Sequence, residues 1–161
     1  MTIPESEPRR RKSPTSAELQ AWRLIIETSE QVRNVVAARL QDESGLSTGD
    51  YSVLLALSEH PEKRIRSSQL ADDIGWERSR LSHHLGRMER RGLIRRESVP
   101  GDSRGAEIVL TPIGAHLFRT GSAPHLHAVQ DVFVRALSAE QLTSLEDAMH
   151  AVRTQLDEST R

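Results

Sequence analysis

The sequence predicts a mostly α-helical chain that carries one small β-hairpin. Apolar residues recur at steps of three and four along most of the chain, which places them on one side of a helix. Two short runs of β-type residues, 93–98 and 106–110, lie close together with turn-forming residues 100–105 between them. Helices with a lone hairpin exclude a parallel α/β sheet, in which strands and helices alternate.

The N-terminal part predicts a basic arm and then one long helix. Residues 1–14 contain three prolines and a run of four basic residues, and we expect them to form a disordered arm. The helix of residues 15–45 begins at Thr15 and Glu18, which have the spacing of a capping box, and it ends near Gly45. Its apolar stripe consists of Leu19, Trp22, Ile26, Val36 and Leu40.

The middle segment, residues 46–111, predicts a pair of short helices followed by the hairpin. Gly75 and Trp76 form a tight turn between helices at about 67–74 and 77–91. A preceding helix begins at a second capping box, formed by Ser47 and Asp50, and ends at His60 and Pro61, because proline disfavours helical geometry in the residue before it. Helix, turn, helix and hairpin form the plan of a winged helix-turn-helix, in which the second helix enters the DNA major groove.

The C-terminal segment, residues 112–161, predicts two further helices. Thr111 and Pro112 favour a helix start, because threonine is a good N-cap and proline suits the first helical position. We expect that helix to break at Gly121–Pro124 and a last helix to begin at Ser138. The apolar stripe of the last helix consists of Leu142, Leu145, Met149, Val152 and Leu156. A small core cannot cover such stripes at both ends, so we expect the terminal helices to form the interface of a homodimer.

Charge is concentrated on the middle segment. Residues 60–107 contain 11 Lys and Arg against 8 Asp and Glu, although the whole chain has a formal net charge of −1. A basic unit of this kind is typical of a DNA reader. Cysteine is absent, which excludes disulfides and thiolate metal sites. Without a signal-peptide pattern or a membrane-length apolar run, the chain is expected to be cytoplasmic and to have no membrane partner.

The second helix of the pair has two different faces. Leu81, Leu85 and Met88 fall on one side and should pack inward. Small residues on the other side would let the helix approach a groove, and arginines there could pair with guanine. That polar face consists of Ser79, His83, Gly86, Arg87 and Arg90. Taken alone it could equally be a solvated basic face, but its position between a tight turn and a hairpin favours DNA binding.

Two stretches of the sequence resemble the MarR family of transcriptional regulators. Leu70–Ile94 is similar to the family helix-turn-helix, and its end resembles the phrase LE-x-RGLV, with Met88 and Ile94 as departures. Residues 102–111 match the family wing pattern D-x-R-x-x-x-[VI]-x-L-T. The resemblance covers about residues 16–157. It implies a repressor that binds a pseudo-palindromic site on double-stranded DNA as a homodimer.

The resemblance also implies which residues contact DNA. Arg104 at the wing tip would enter the minor groove, where narrow A·T-rich sequence concentrates negative potential. Phosphates would repel Asp102, which is instead expected to brace Arg95 or Arg96. Contacts to bases or phosphates from the recognition helix are expected from Arg78, Ser79, Arg80, Ser82, His83 and Arg87.

Many members of the family are released from DNA by small, often aromatic or phenolic, acids bound between the dimer helices and the winged domain. Residues on the flanking elements that pair aromatic surface with polar anchors are Trp22, Arg23, Tyr51 and His116. Trp22 and Tyr51 could instead belong to the core. The alternative function is then an architectural protein or constitutive repressor that takes no ligand.

Enzymatic and metal-sensing functions are disfavoured. The sequence has no HExxH, no phosphate-binding glycine loop and no GxSxG. It has seven histidines, but no two are spaced three or four apart, as two ligands on one helical face would be. A metal-responsive regulator would have to use His127 with Asp131, or Glu146 with His150. We predict no catalytic residue, no metal site and no cofactor.

Overall fold

The structure is a computed structural model that describes residues 13–99 and 101–159, with the backbone alone for residues 102–104. The predicted basic arm lies almost entirely outside the described residues. The chain divides into two compact units, residues 1–34 and 35–161. Among the described helices, none is long and apolar enough to cross a membrane.

The fold class is as predicted, mostly helical with a small antiparallel sheet. The helices are α1 (Ser16–Ser44), α2 (Thr48–Glu59), α3 (Ser67–Asp73), α4 (Arg78–Arg90), α5 (Pro112–Val132) and α6 (Ala139–Ser159), with a 3-10 turn at Val134–Ala136. The strands are β1 (Arg64–Arg66), β2 (Ile94–Val99) and β3 (Asp102–Leu110). Strand β3 lies in the centre and pairs antiparallel with both neighbours.

Capping boxes start three of the helices, as the sequence predicts. In each box the backbone N–H of the capping residue donates to the side chain three positions on, over 2.6–2.9 Å. The capping hydroxyl in turn accepts from the later backbone N–H, over 3.1–3.3 Å. Both bonds satisfy donors that the first helical turn leaves unpaired. The three pairs are Thr15 and Glu18, Ser47 and Asp50, and Ser138 and Gln141.

The predicted break at Gly121–Pro124 is wrong, because α5 continues through both residues. Gly121 is buried, and a Cβ there would lie 3.0 Å from the Cβ of Ser44. The glycine therefore permits close approach to the end of α1 and does not end the helix. Pro124 removes one helical hydrogen bond, a local cost that the packing of α5 offsets.

Strand β1 was not predicted. Its central residue, Ile65, is buried and pairs with Ile108 of β3, while Arg64 and Arg66 flank it. Three residues are too few to show the alternation by which a strand is recognised in a sequence. The strand exists because its partner offers a free edge beside the core.

The hairpin loop is shorter than predicted. Strand β2 extends to Val99, which pairs with Asp102 at the start of β3. Gly101, between them, has φ +81°, a left-handed value that favours glycine. The register shifts between Ser98 and Val99, so the pairing of the two strands is irregular where they meet.

The core lies between the helix-turn-helix and the sheet. The inward face predicted for α4 is confirmed, because Leu81, Leu85 and Met88 are at most 1% exposed. Their fully buried neighbours come from the other central elements and from the end of α1: Leu40, Leu46, Val53, Leu54, Leu57, Leu70, Leu93, Ile94 and Ile108. The core therefore fixes α4 from behind and leaves its other face outside.

The terminal helices bury much less. None of the described residues of α6 is buried, and its stripe becomes more exposed toward the end, from 37% at Met149 to 60% at Leu156. In α1, the only buried residues within its described range are Val36 and Leu40. Exposed apolar side chains nearer its start are Leu19, Trp22, Leu24, Ile25 and Ile26.

Candidate nucleic-acid interface

Helix α4 presents a polar face that its buried leucines hold in place. All six residues predicted to contact DNA from this helix are exposed: Arg78, Ser79, Arg80, Ser82, His83 and Arg87. Gly86 lies half-buried among them, and its missing side chain keeps the middle of the face shallow. The face can therefore offer cationic and hydroxyl donors to a groove.

Arg80 is held by an aromatic ring at the start of α4. Its guanidinium carbon lies 4.2 Å from the centre of the Trp76 ring, the arrangement of a cation–π contact. Trp76 is half-buried and packs against the core. This contact limits the directions that the Arg80 side chain can take, although Arg80 is exposed.

A buried carboxylate lies beside α4. Asp50 is 2% exposed, and its Oδ2 accepts hydrogen bonds from Nη1 of Arg91 at 2.7 Å and from the backbone N–H of Ser47 at 2.9 Å. Burial alone would raise the pKa of Asp50, but the hydrogen bonds from Arg91 and Ser47 outweigh it and hold that pKa below its usual range. Asp50 therefore stays charged and ties α2 to the end of α4.

His84 connects this carboxylate to the polar face. Its Nε2 lies 3.1 Å from Oδ1 of Asp50, and its Nδ1 lies 2.9 Å from Nη2 of Arg87. A guanidinium can only donate, so Nδ1 accepts and the ring proton of the neutral form is on Nε2, which is near Asp50 but makes no hydrogen bond among the described residues. Burial lowers the pKa of His84, and the nearby charges of Arg87 and Arg91 lower it further against the opposing effect of Asp50. His84 is therefore neutral in the fold at physiological pH.

A hollow of about 450 Å³ lies over this cluster. Besides the charged groups, its lining includes the end of α1 and the start of α2: Gln41, Gly45 and Ser47. Arg91 also donates to the backbone carbonyl of Gly45 at 2.9 Å. The guanidinium of Arg91 is thus held by hydrogen bonds within the protein, whereas Arg87 is exposed at the edge of the hollow.

Gly49 allows the cluster to close. A Cβ at this position would lie 2.8 Å from the Trp76 ring and 2.9 Å from the His84 ring, closer than carbon atoms normally approach. The two rings meet edge to face, with centres 5.2 Å apart. No local pattern in the sequence points to Gly49 or His84, and Asp50 is recognisable there only as a capping residue, because their contacts depend on the tertiary fold.

The arginines at the base of the wing have partners of their own. Nε of Arg95 lies 2.6 Å from Oε1 of Glu97, and Arg96 donates from Nη2 to the backbone carbonyl of Ser82 at 2.8 Å. The side chains of Asp102 and Arg104 lie outside the described part of the chain. The predicted brace from Asp102 to Arg95 or Arg96, and the predicted contact of Arg104 with the minor groove, therefore stay predictions.

Arg64 of β1 supports the sheet that carries the wing. Glu97 and Glu107 stand directly opposite each other on β2 and β3, an arrangement that like charges destabilise. Nη1 of Arg64 lies 3.3 Å from Oε2 of Glu97 and 3.0 Å from Oε2 of Glu107, so one cation bridges the two carboxylates and reduces their repulsion. The hydrogen bond from Arg95, aided by the charges of Arg95 and Arg64, holds the pKa of Glu97 below its usual range. Sequence reasoning missed Arg64 because it missed β1.

The four residues predicted to line a ligand pocket fall in both units. In the first unit, Trp22 is 62% exposed, so it does not belong to the core of this chain, and Arg23 is exposed beside it. In the second unit, Tyr51 is half-buried and His116 is exposed. The pocket that the four were expected to share stays a prediction.

Tyr51 belongs to an aromatic cluster that no pattern in the sequence predicts. Its ring centre lies 4.2 Å from that of His125 and 5.3 Å from that of Phe118. Burial lowers the pKa of His125. The Nδ1 atom of His125 is buried and has no hydrogen-bond partner among the described residues. The cluster thus presents apolar ring surface with one unsatisfied polar atom.

The described residues contain no group of three or more His, Cys, Asp or Glu that could hold a metal ion. Of the pairs considered for a metal-responsive regulator, Asp131 instead forms ion pairs with Arg39 at 3.0 Å and Arg135 at 2.5 Å. His150 lies 3.8 Å from Glu146, with both side chains largely exposed.

Comparisons with known proteins agree on one family. A model described as the MarR family matches residues 44–105. Two similar crystal structures are MarR family transcriptional regulators from Streptomyces coelicolor. AbsC is 34% identical with a TM-score of 0.84, over 92% of this chain and 99% of that one. Sco3205, solved in complex with DNA, is 33% identical with a TM-score of 0.86, over 92% and 93%. The transcriptional regulator HosA of Escherichia coli O111:H- is 32% identical over 105 residues, or 65% of this chain and 76% of HosA.

Proposed function

Because the chain belongs to the MarR family of transcriptional regulators, we propose that it is a repressor that binds a pseudo-palindromic site on double-stranded DNA as a homodimer. The observation that carries this proposal is the exposed polar face of α4 on a helix whose opposite face is completely buried. A rigid helix with small and cationic side chains outward suits the major groove. The proposed contacts are Arg78, Ser79, Arg80, Ser82, His83 and Arg87.

The homodimer is inferred from the terminal helices. Helix α6 exposes an apolar stripe and buries none of its described residues, so little tertiary packing within one chain stabilises it. A second copy would cover the same stripe by symmetry. Two recognition helices would then stand about one DNA turn apart, roughly 34 Å, which is why the site should be a pseudo-palindrome.

The wing completes the proposed interface. Arg104 would insert into the minor groove beside each half-site, and Asp102 would brace Arg95 or Arg96 beneath it. Arg104 would read groove width, while α4 would read base edges. The two elements should therefore make separable contributions to binding.

Selection of bound duplexes from random sequence, followed by affinity measurements, tests the proposal. The expected result is a site with two-fold symmetry, at which scrambling one half costs more than the roughly 1–3 kcal/mol of a single mismatch. Arg80→Ala and Arg87→Ala should weaken binding, whereas Arg119→Ala, an exposed arginine on α5, is the matched control. Equal affinity for the selected and scrambled duplexes would favour the architectural alternative.

A small aromatic or phenolic acid is proposed as the signal that releases DNA. The supporting observation is the Tyr51, Phe118 and His125 cluster, where a ligand could stack on the rings and satisfy the buried Nδ1 atom. Trp22, Arg23 and His116 stay the other proposed pocket residues. Titration of aromatic carboxylates and phenols against a labelled protein–DNA complex tests this, with tryptophan fluorescence read in parallel. Trp22→Phe is the control, because it leaves only the fluorescence of Trp76. If no compound releases DNA, the constitutive repressor is favoured.

A further inference from the structure

Three side chains form a continuous row from the interior to the polar face of α4. The buried carboxylate of Asp50 faces Nε2 of His84 at 3.1 Å, and Nδ1 of the same ring faces Nη2 of Arg87 at 2.9 Å. We call this the Asp50–His84–Arg87 row. Its inner end is fixed, since Asp50 is also held by Ser47 and Arg91, and its outer end is an exposed arginine.

We propose that His84 is a positioning residue that holds Arg87 in its DNA-binding orientation through Nδ1, and that protonation of His84 releases Arg87. The inference rests on the proposed function, because it assumes that Arg87 contacts DNA. An arginine side chain is long and loses rotamer freedom when it binds. In the protein without DNA, a neutral His84 already restricts the Arg87 side chain by accepting its hydrogen bond, so less conformational entropy is lost when DNA binds.

Protonation would change this contact directly. A second ring proton, on Nδ1, would point at the guanidinium of Arg87, which has no acceptor to offer. The hydrogen bond would be replaced by repulsion between two cations. The charged groups that face His84 are Asp50 from α2, Arg87 from α4 and Arg91 directly after α4. Asp50 would hold the protonated ring in place while Arg87 moved away.

The packing around His84 supports a fixed ring. The Trp76 ring packs against one side, and Gly49 brings the backbone of α2 so close that a Cβ would clash with the His84 ring. The imidazole therefore has little room to turn its Nδ1 away from Arg87. A side chain that only filled space would not need a nitrogen at that position.

Two variants separate positioning from space-filling. In His84→Asn the side-chain amide lies near the place of Nδ1 and can still accept from Arg87, while in His84→Gln it lies near the place of Nε2. Against a duplex selected by the wild-type protein, the Gln variant should lose roughly 2–10-fold in affinity, and the Asn variant should recover part of it. A space-filling role predicts the opposite order, because Gln is closer in size to His. That order would overturn the inference.

A double-mutant cycle tests the partner. The effect of His84→Gln should largely disappear when Arg87 is already Ala, whereas it should persist in full in Arg90→Ala, a matched arginine on the exposed side of α4. The coupling between positions 84 and 87 should also vanish as the pH falls through the pKa of His84, which burial holds below the ordinary value for histidine. Additive effects at both pH values would overturn the inference.

Nitrogen NMR of the wild-type protein gives a readout that does not depend on a folded variant at position 84. The His84 ring should carry its proton on Nε2 at neutral pH, and its pKa should rise in Arg87→Ala, because removal of a nearby cation favours the protonated ring. A proton on Nδ1, or an unchanged pKa, would overturn the inference. A wild-type protein that binds no DNA sequence selectively would instead overturn the proposed function, and the inference with it.

Discussion

The centre of the chain and its last helix are both amphipathic, yet they cover their apolar faces in different ways. In the centre, the core leucines of α2, α3 and α4 are completely buried against one another and the sheet: Leu54, Leu57, Leu70, Leu81 and Leu85. In α6, the apolar side chains from Met149 to Leu156 are 37% to 60% exposed. One chain therefore suffices to fix the recognition helix, whereas the apolar stripe of the last helix stays exposed, which is why we propose a partner for it.

The largest expected effect is the loss of a leucine from the centre. Leu85→Ala should lower the free energy of unfolding by about 2–5 kcal/mol, because it removes buried methyl groups and leaves a cavity. Urea unfolding followed by circular dichroism measures this. The matched change on α6, Val152→Ala, should cost within about 0.5 kcal/mol at protein concentrations low enough to favour the monomer. Equal costs at the two positions would contradict the difference in packing between the core and α6.

A charge in the α6 stripe should act on assembly. Val152→Asp would place an unpaired carboxylate in the proposed interface and weaken the dimer by about 2 kcal/mol, roughly 30-fold in its dissociation constant. Light scattering over a concentration series measures the shift toward monomer. Thr154→Asp is the control, since it adds the same charge on the opposite side of the helix. If both variants stay dimeric, α6 does not form the interface.

Mild acid should weaken the fold through two histidines, the buried His84 and the half-buried His125. Burial lowers the pKa of His84 and of His125, so below the ordinary histidine pKa the unfolded chain binds protons that the folded chain does not. Stability is thus complete above that pKa and is lost as the pH falls toward the folded value. The slope is at most about 1.4 kcal/mol per pH unit for each histidine. Unfolding midpoints from pH 8 to 5 test this, and the slope should decrease in His125→Gln but not in His60→Gln, whose side chain is exposed.

The smallest expected effect concerns the sheet beneath the wing. Arg64→Ala leaves Glu97 and Glu107 facing each other without their shared cation, which should lower the melting temperature slightly. Thermal unfolding at low salt measures it. Adding Glu97→Gln to Arg64→Ala should recover most of the loss, since one of the two like charges is gone. If it recovers nothing, the role of Arg64 is packing alone.

Local signals made much of this structure predictable. Thr111 and Pro112 start α5, and the Ser47–Asp50 pair starts α2, because capping depends on residues within one turn of each other. The buried face of α4 follows from the helical period alone. These features need no knowledge of the rest of the chain, and they are also the ones that identify the helix-turn-helix.

The contacts that shape the site are of another kind. Arg91 reaches Asp50 across 41 positions of the sequence, and Arg64 reaches Glu107 across 43. The residues next to Arg91 and Arg64 in the sequence do not indicate these partners. The contact of Arg64 also requires β1, a strand of three residues that is too short to show a pattern. Gly121 shows the same limit, because its reason for being glycine is the proximity of Ser44 and not a local break.

Gly49 has a practical consequence for anyone who wishes to adjust this regulator. A methyl group at position 49 would clash with the Trp76 and His84 rings. The Trp76 ring contacts the guanidinium of Arg80, and the His84 ring contacts that of Arg87. Gly49 is buried, yet the two rings it approaches contact two of the arginines proposed to touch DNA. We therefore expect Gly49→Ala, a change of one carbon atom in the interior, to alter DNA affinity while every side chain on the outer surface of α4 keeps its identity.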